Sequence, residues 1–270
     1  MALANYDDYL AKLGANRFAD FQMSSAFNTV ARLNFASRFF LPAPAIPTTS
    51  VALDKTSDHS IGPMPAVGSG RLTIMGARLN PSGIGGQTII PVDLLNVSGG
   101  LSGIVTTAQT ANLPTAALTR YTNGEGVMAG LCIWTAVGNT ATTVTVSYTN
   151  QAGTPGQIST ATQIGGASVA SNTGRIIPIP LAAGDTGVRS VESVTLAGTT
   201  GTAGNFGVCL YKPLAMFAMN DFQGAQVFDA ISTGGFIGAL AEVHPDACLS
   251  IFGIGNVAQS VAGSIILAEV

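Results

Sequence analysis

The sequence predicts a mainly β protein: an antiparallel β-sandwich or jelly-roll-like domain preceded by an N-terminal helical arm and a Pro-rich strap. Three observations carry that expectation. Residues 142–149, TTVTVSYT, alternate strictly, with Val144, Val146 and Tyr148 on one face and Thr143, Thr145, Ser147 and Thr149 on the other. That is the period of a half-buried strand. From position 121 onward, strand-like runs are separated by Gly-, Pro- and Asn-containing turns about every 8–12 residues, the spacing of an all-β sandwich. The aromatic residues are also unevenly placed, since six of the twelve Phe fall in the first forty residues.

The elements follow in order. Tyr6, Tyr9, Leu10 and Leu13 recur at helical spacing, and Gly14 punctuates. Phe18, Phe21, Phe27 and Val30 line one side of a second helical stretch, with Leu33, Phe35, Phe39 and Phe40 continuing the apolar series. LPAPAIPTTS, with Pro42, Pro44 and Pro47, reads as an extended strap. RLTIMGARL and QTIIPVDLL are strands, the second demoted to an edge or a bulged strand by Pro91. LNVSGGLSGIVTTAQTANLP is a long polar loop region. GVMAGLCIWTA is apolar on both faces, as a central strand is. TTVTVSYT, QISTATQI and RIIPIPL follow, the last edge-like because Pro178 and Pro180 remove ladder donors. VRSVESVTLA alternates imperfectly, which implies a bulge. NFGVCLYKPL puts Phe206, Val208 and Leu210 on one side. The expected organisation is therefore an arm and strap over 1–47 and a β-rich domain over 48–270. The sandwich pattern is clearest over 121–215, and the apolar C-terminal strands of 226–270 close the core or form an interface.

Composition narrows the function. Only 9% of the residues are charged, against about 25% in an average soluble domain, and no charged residue occurs from Gly126 to Gly174. A surface built from Thr, Ser, Asn, Gln and backbone is poorly defended against association, which favours burial against other subunits. The net charge of −3 and eleven scattered Lys and Arg give no basic stripe, so nucleic acid is not an expected partner. The apolar runs are too short to span a bilayer, which takes about 20 residues, so no membrane is expected either. The start, MALANYDDYLAK, does not read as a signal peptide, and folding in a cytoplasm is the expectation. Cys132, Cys209 and Cys248 sit among apolar neighbours and read as buried thiols rather than a disulfide framework.

No catalytic motif emerges. His59 lies beside Asp58 and His244 near Asp246, but the spacing fits no metal motif and suits turns. GIGNVA (Gly253, Gly255, Ala258) matches a loose dinucleotide pattern without its acidic partner downstream, and reads as a turn. Asp93, Asp185 and Asp246 are the acids from which a Ca²⁺ site could be built, although no EF-hand-like loop is present. Arg120 and Tyr121 read as a surface contact pair. The chain is thus expected not to be an enzyme and to need no cofactor, metal or small-molecule substrate. The interface residues to expect are Phe18, Phe21, Phe27, Phe35 and Phe39 of the arm, Pro42, Pro44 and Pro47 of the strap, and Trp134.

LPTAALTRYTNGEGVMAGLCIWTAVG, TVTVSYTNQAGTPGQ, RIIPIPLAAGDTGVRSVESVTL and GTAGNFGVCLYKPLA, together about residues 113–215, resemble a group of tailed-bacteriophage virion structural proteins of the capsid-decoration (cement) kind. The resemblance implies a β-rich, non-enzymatic component located in the virion. Its partners would be other copies of itself, as a homotrimer, and the major capsid protein. The alternatives are the major capsid protein itself, which needs a long spine helix not visible after residue 40, a neck or tail component, or a carbohydrate-binding β-sandwich.

Overall fold

A computed structural model describes residues 17–23, 33–35, 37–38, 45–61, 72–81, 87–166, 173–219, 226–229, 241–255 and 261–269. Among them the regular structure is β, with no helix, and therefore no helix long and apolar enough to cross a membrane. The chain forms two compact units, one from Met1–Pro44, Asp54–Asp93 and Leu214–Val270, the other from Ala45–Leu53 and Leu94–Pro213. This differs from the expected division into 1–47 and 48–270. The chain changes unit several times, once inside the strand Gln87–Val97, and such switches leave no mark in composition.

The second unit is a sandwich. One sheet orders Thr162–Ile164, Thr142–Asn150 and Val188–Leu196, with Gln157–Ile158 also on Thr142–Asn150. The other places Met128–Thr135 between Asn205–Pro213 and Arg175–Pro178. Between them lie Val144, Val146, Tyr148, Val191, Val194 and Leu196 from the first sheet, and Leu131, Ile133, Ile177, Phe206, Val208 and Leu210 from the second. The strict alternation of 142–149 becomes buried and partly exposed residues in turn. Met128–Thr135 is buried on both faces, as its unbroken apolar run requires. Burying each large side chain here contributes about 1.5–3 kcal/mol.

Val188–Leu196 shows how a pattern can mislead without its pairing. Its core residues Val188, Val191 and Val194 are three apart, a helical spacing. Register shifts at 188/190 and 191/193 against Thr142–Asn150 reset the parity twice, so each Val returns to the core. The irregularity in the sequence is a double bulge.

The first unit carries two further sets of strands. Leu72–Pro81 lies between Gln226–Asp229 and Val261–Glu269, and the latter pairs on its far side with Arg17–Met23. Gln87–Val97 pairs through its first part with Leu249–Gly255 and Phe217–Met219. The core joins Leu72, Ile74, Leu79, Ile265 and Leu267 to Ile89, Phe217, Leu249 and Ile251. A register shift between Ile266 and Leu267 moves Leu72–Pro81 out of phase. Leu72 and Ile74 therefore face the same core as Ala77 and Leu79, while Met75 joins Ile266 and Ala268 in a separate buried cluster. The C-terminal strands thus close this core.

Three expectations change. Arg17–Met23 is a strand, paired antiparallel with Val261–Glu269 from Phe18 opposite Ile266 to Phe21 opposite Gly263, not part of a helix. The apolar strand Val261–Glu269 requires a hydrogen-bonded neighbour on each side, and that long-range pairing overrides local Phe spacing. Leu33–Phe35 and Ser37–Arg38, which continue the same apolar series, are also strands; the rest of the expected helical arm, in 1–16, 24–32, 36 and 39–40, lies outside the described residues. Pro91 does not make an edge strand. Gln87–Val97 is paired on both sides; the ladder to Phe217–Met219 ends at Ile89, and Pro91 then accepts Leu214 N–H at 2.9 Å. The missing donor falls where that ladder stops. Gly253 and Gly255 are strand residues rather than turn residues.

Candidate functional site

The expected interface residues do not form one group. Phe27, Phe39, Pro42 and Pro44 lie outside the described residues. Phe18, Phe21 and Phe35 belong to strands of the first unit, Phe35 opposite Phe252. Pro47 and Trp134 belong to the second. There Pro47 is half-buried, and its carbonyl occupies the place a side chain on Gly99 would take. The Trp134 indole N–H donates to the Ser98 carbonyl at 2.7 Å, and its ring edge stands 3.3 Å from the same Gly99 position. The strap 45–50 therefore runs over Gly99 beside Trp134, within its own unit.

What holds the next turn of the strap escaped the sequence. Val51–Ala52 pairs with Val97 and Asn96, Ser50 Oγ donates to Asn96 Oδ1 at 2.8 Å, and Leu53 N–H donates to Leu95 at 3.0 Å. Arg120 completes the attachment. It is buried, and its guanidinium donates to the carbonyls of Leu53 at 2.9 Å and Leu94 at 3.4 Å. The expected surface pair Arg120–Tyr121 is thus corrected. Arg120 points inward because its guanidinium fork supplies separate donors, Nη1 and Nη2, to carbonyls of two segments at once. Tyr121 takes a left-handed turn (φ 52°), with the Lys212 ammonium 4.2 Å from its ring centre.

The densest polar cluster of the second unit surrounds the tip of the hairpin after Thr142–Asn150. Glu192 lies across the outer face of the sheet. Its Oε1 accepts Thr149 Oγ at 2.6 Å, and its Oε2 accepts Ser147 Oγ at 2.8 Å and Gly156 N–H at 3.1 Å. The hydroxyl face of the alternating strand is thereby tied to the neighbouring strand and to the turn. Partial burial would raise the Glu192 pKa, but the two hydroxyls and the amide outweigh it and hold the carboxyl below its usual range. Asp185 accepts the Tyr148 hydroxyl at 2.6 Å and the Asn150 amide at 2.7 Å. The Tyr148 oxygen in turn accepts Ala182 N–H at 2.8 Å. Arg189 donates to the carbonyls of Gln151 and Asn123, and the Gln151 side chain accepts Thr186 and Gly187 N–H. Both oxygens of each carboxylate are engaged by groups of the same unit. This is bracing chemistry: the carboxylates, the phenol and the guanidinium are spent on fixing three loops.

One consequence is measurable at high pH. Burial, then the hydrogen bond to Asp185, pushes the Tyr148 phenol from its ordinary 10.0 up to about 12. The folded state holds the proton more tightly, so this contribution is complete below pH 10 and is lost as pH rises through 12. Tyr148→Phe is expected to flatten the decline of unfolding free energy over that window, read by urea unfolding at stepped pH. Tyr211, pushed upward by burial and the adjacent thiols, maintains a residual slope.

The other candidate groups have structural roles. His244 Nδ1 accepts Asp246 N–H at 3.0 Å, and Asp54 accepts Thr56 N–H at 2.8 Å, both local turn contacts. His59 is largely buried, which lowers its pKa against the opposing charge of Asp58. Asp93 is buried and accepts Cys248 N–H at 3.1 Å, while Asp246 pairs with Lys55 at 2.8 Å. The three acids considered for Ca²⁺ thus have separate tasks. Among the described residues no group of three or more His, Cys, Asp or Glu could hold a metal ion. Cys132, Cys209 and Cys248 are free and buried. Burial and the neighbouring Cys209 raise the Cys132 pKa, keeping it a protonated, unreactive thiol.

No family model matches the chain, and no curated protein does. Among solved structures it is similar to T=1 particles derived from infectious bursal virus, at 12% identity over 94% of this chain and 78% of that one, with a TM-score of 0.21. It is similar also to infectious bursal disease virus Gt strain, at 11% identity over 94% and 81%, TM-score 0.21. The VP2 subviral particle of infectious bursal disease virus follows at 12% identity over 94% and 81%, TM-score 0.19. Scores at this level define no common fold.

Proposed function

We propose that this chain is a non-enzymatic structural subunit of a virion, and specifically a decoration protein on the capsid of a tailed phage, where it binds the shell and braces it. The observation that carries this reading is the use of the polar groups. Glu192, Asp185, Arg189 and Tyr148, the residue types from which a reactive centre would be made, are tied to loops and strands of their own unit. The low charge supports it. A chain with 9% charged residues loses little solvation when its surface is covered by neighbours. The phrases over about 113–215 that resemble phage virion proteins support the phage part of this reading. Many weak contacts repeated over a lattice supply avidity without any one strong site. In this role the partners are other copies and the major capsid protein.

The test is quantitative protein gels and electron microscopy of purified particles from the source of this sequence. The expected result is a chain present at a fixed ratio to the major shell protein, on the outer surface at repeated symmetry positions. Absence from the particles overturns the virion role. A copy number of about one ring per particle, or density in the shell wall itself, overturns decoration in favour of a neck, tail or shell component.

A further inference from the structure

The two ends of the second unit differ sharply in chemistry. Glu125, Asp185, Arg189, Glu192 and Lys212 interact around the hairpin-tip end. The loops meeting around Thr200 contain no charged residue: 99–112, 136–141, 165–166 and 197–204. Thr200 is fully buried and joins them. Its N–H donates to Gly103 at 2.8 Å, its carbonyl accepts Thr140 N–H at 3.0 Å, and its hydroxyl accepts Gly138 N–H at 3.0 Å. Gly103 N–H returns to Ala203 at 2.6 Å. Out of this braced base rises the loop 102–109. The Gln109 side chain closes it, accepting Ser102 N–H at 2.8 Å and donating to the Ser102 carbonyl at 3.0 Å. The Gln109 backbone is paired in both directions with Val194. At the tip, Ile104 is 50% exposed and Val105 37%.

A loop held by this many bonds does not turn its aliphatic side chains outward for want of order. It presents them in fixed positions, which is how an interface anchor avoids the ordering penalty on binding. We propose that this uncharged end, anchored by Ile104 and Val105, is a self-association surface that docks on the same end of a second copy. The charge pattern identifies the occupant. An ordinary partner surface, about a quarter charged, would have charges stripped of water here with nothing opposite to pair them. A second copy presents the same neutral, hydroxyl- and backbone-rich rim. The proposal rests on the chain being an assembling subunit and adds which surface assembles.

The experiment is sedimentation velocity of the full chain against the double variant Ile104→Lys, Val105→Lys, with Ile158→Lys as the matched control. Ile158 is 56% exposed and lies outside the loops around Thr200. The expected result is a wild-type oligomer whose association weakens at least about tenfold in the double variant but not in the control. Circular dichroism and melting temperature should be unchanged. Wild-type association should also hold between about 0.05 and 0.5 M salt, because no ion pairs are screened. The proposal is overturned by a wild type that stays monomeric to about 100 μM, by a double variant that associates normally, by equal loss in the control, or by association that salt dissolves. Loss of the virion role would appear separately, as absence from purified particles.

Discussion

Gly138→Ala is expected to unfold the second unit or leave it only marginally stable. A Cβ on Gly138 would strike the carbonyl oxygen of Thr200, and would lie 2.5 Å from both the Thr200 carbonyl carbon and the Thr202 nitrogen. All three are backbone atoms, so no rotamer change relieves the overlap, and the loop 199–202 must move. Moving it breaks the bonds of Gly138 and Thr140 to Thr200 and those joining Thr200 and Ala203 to Gly103. Overpacking alone costs about 1–3 kcal/mol, and each orphaned buried donor or acceptor adds about 1–3 kcal/mol. A total of that size is a large share of the stability of a typical domain. Gly184→Ala is the comparison: that Gly has a positive φ but nothing within 4 Å of the added carbon, so only a left-handed-backbone penalty of about 1 kcal/mol applies. Urea denaturation of both variants should place the Gly138 midpoint far below the Gly184 midpoint. Near-equal midpoints would mean that the Thr200 crossing is not rigid.

The contrast between those two glycines also marks how far sequence reasoning reaches. Both sit in Gly- and Thr-rich turns that look alike as text. What separates them is the distance of approach of another loop more than 60 positions away, which no local pattern encodes. Where structure is set by a residue's own strand, the text sufficed: the buried side of Thr142–Asn150 and the core face of Asn205–Pro213 follow from alternation, and the two-sided burial of Met128–Thr135 from its unbroken apolar run. The bulge in Val188–Leu196 was legible because alternation fails there visibly. Arg17–Met23 was misread because Phe18 and Phe21 carry a helical spacing, while the partner that makes the segment a strand lies at the other end of the chain.

The bracing cluster was invisible for the same reason. Glu192 is an unremarkable acid in VRSVESV, and its meaning arises only when the paired strand sets Ser147 and Thr149 beside it. The alternation of 142–149 did announce a hydroxyl face, though not what that face meets. The strap was recognised by its prolines, yet the side chain that secures the chain after it is Arg120, in a loop where a single Arg beside Tyr suggested solvent.

Arg120→Met should therefore release the strap while leaving the sandwich core folded. Methionine replaces much of the side-chain volume, so packing is largely conserved, but the carbonyls of Leu53 and Leu94 lose charged donors. A hydrogen bond to a charged group contributes about 1.5–3 kcal/mol. The remaining attachments, the pairing of Val51–Ala52 and the bonds of Ser50 and Leu53, are few and near the surface. The effect should thus concentrate in 45–53, as local opening, before it appears in global stability. Hydrogen exchange resolves the two: faster exchange at Leu53 with protection unchanged at Val146 and Val208 supports the clamp. Uniform loss of protection across both segments would instead make Arg120 a core residue whose removal costs the whole unit. Arg120→Lys discriminates further. It keeps the charge but not the fork, and a single ammonium reaching one carbonyl should leave the other unsatisfied, placing its exchange between wild type and Met.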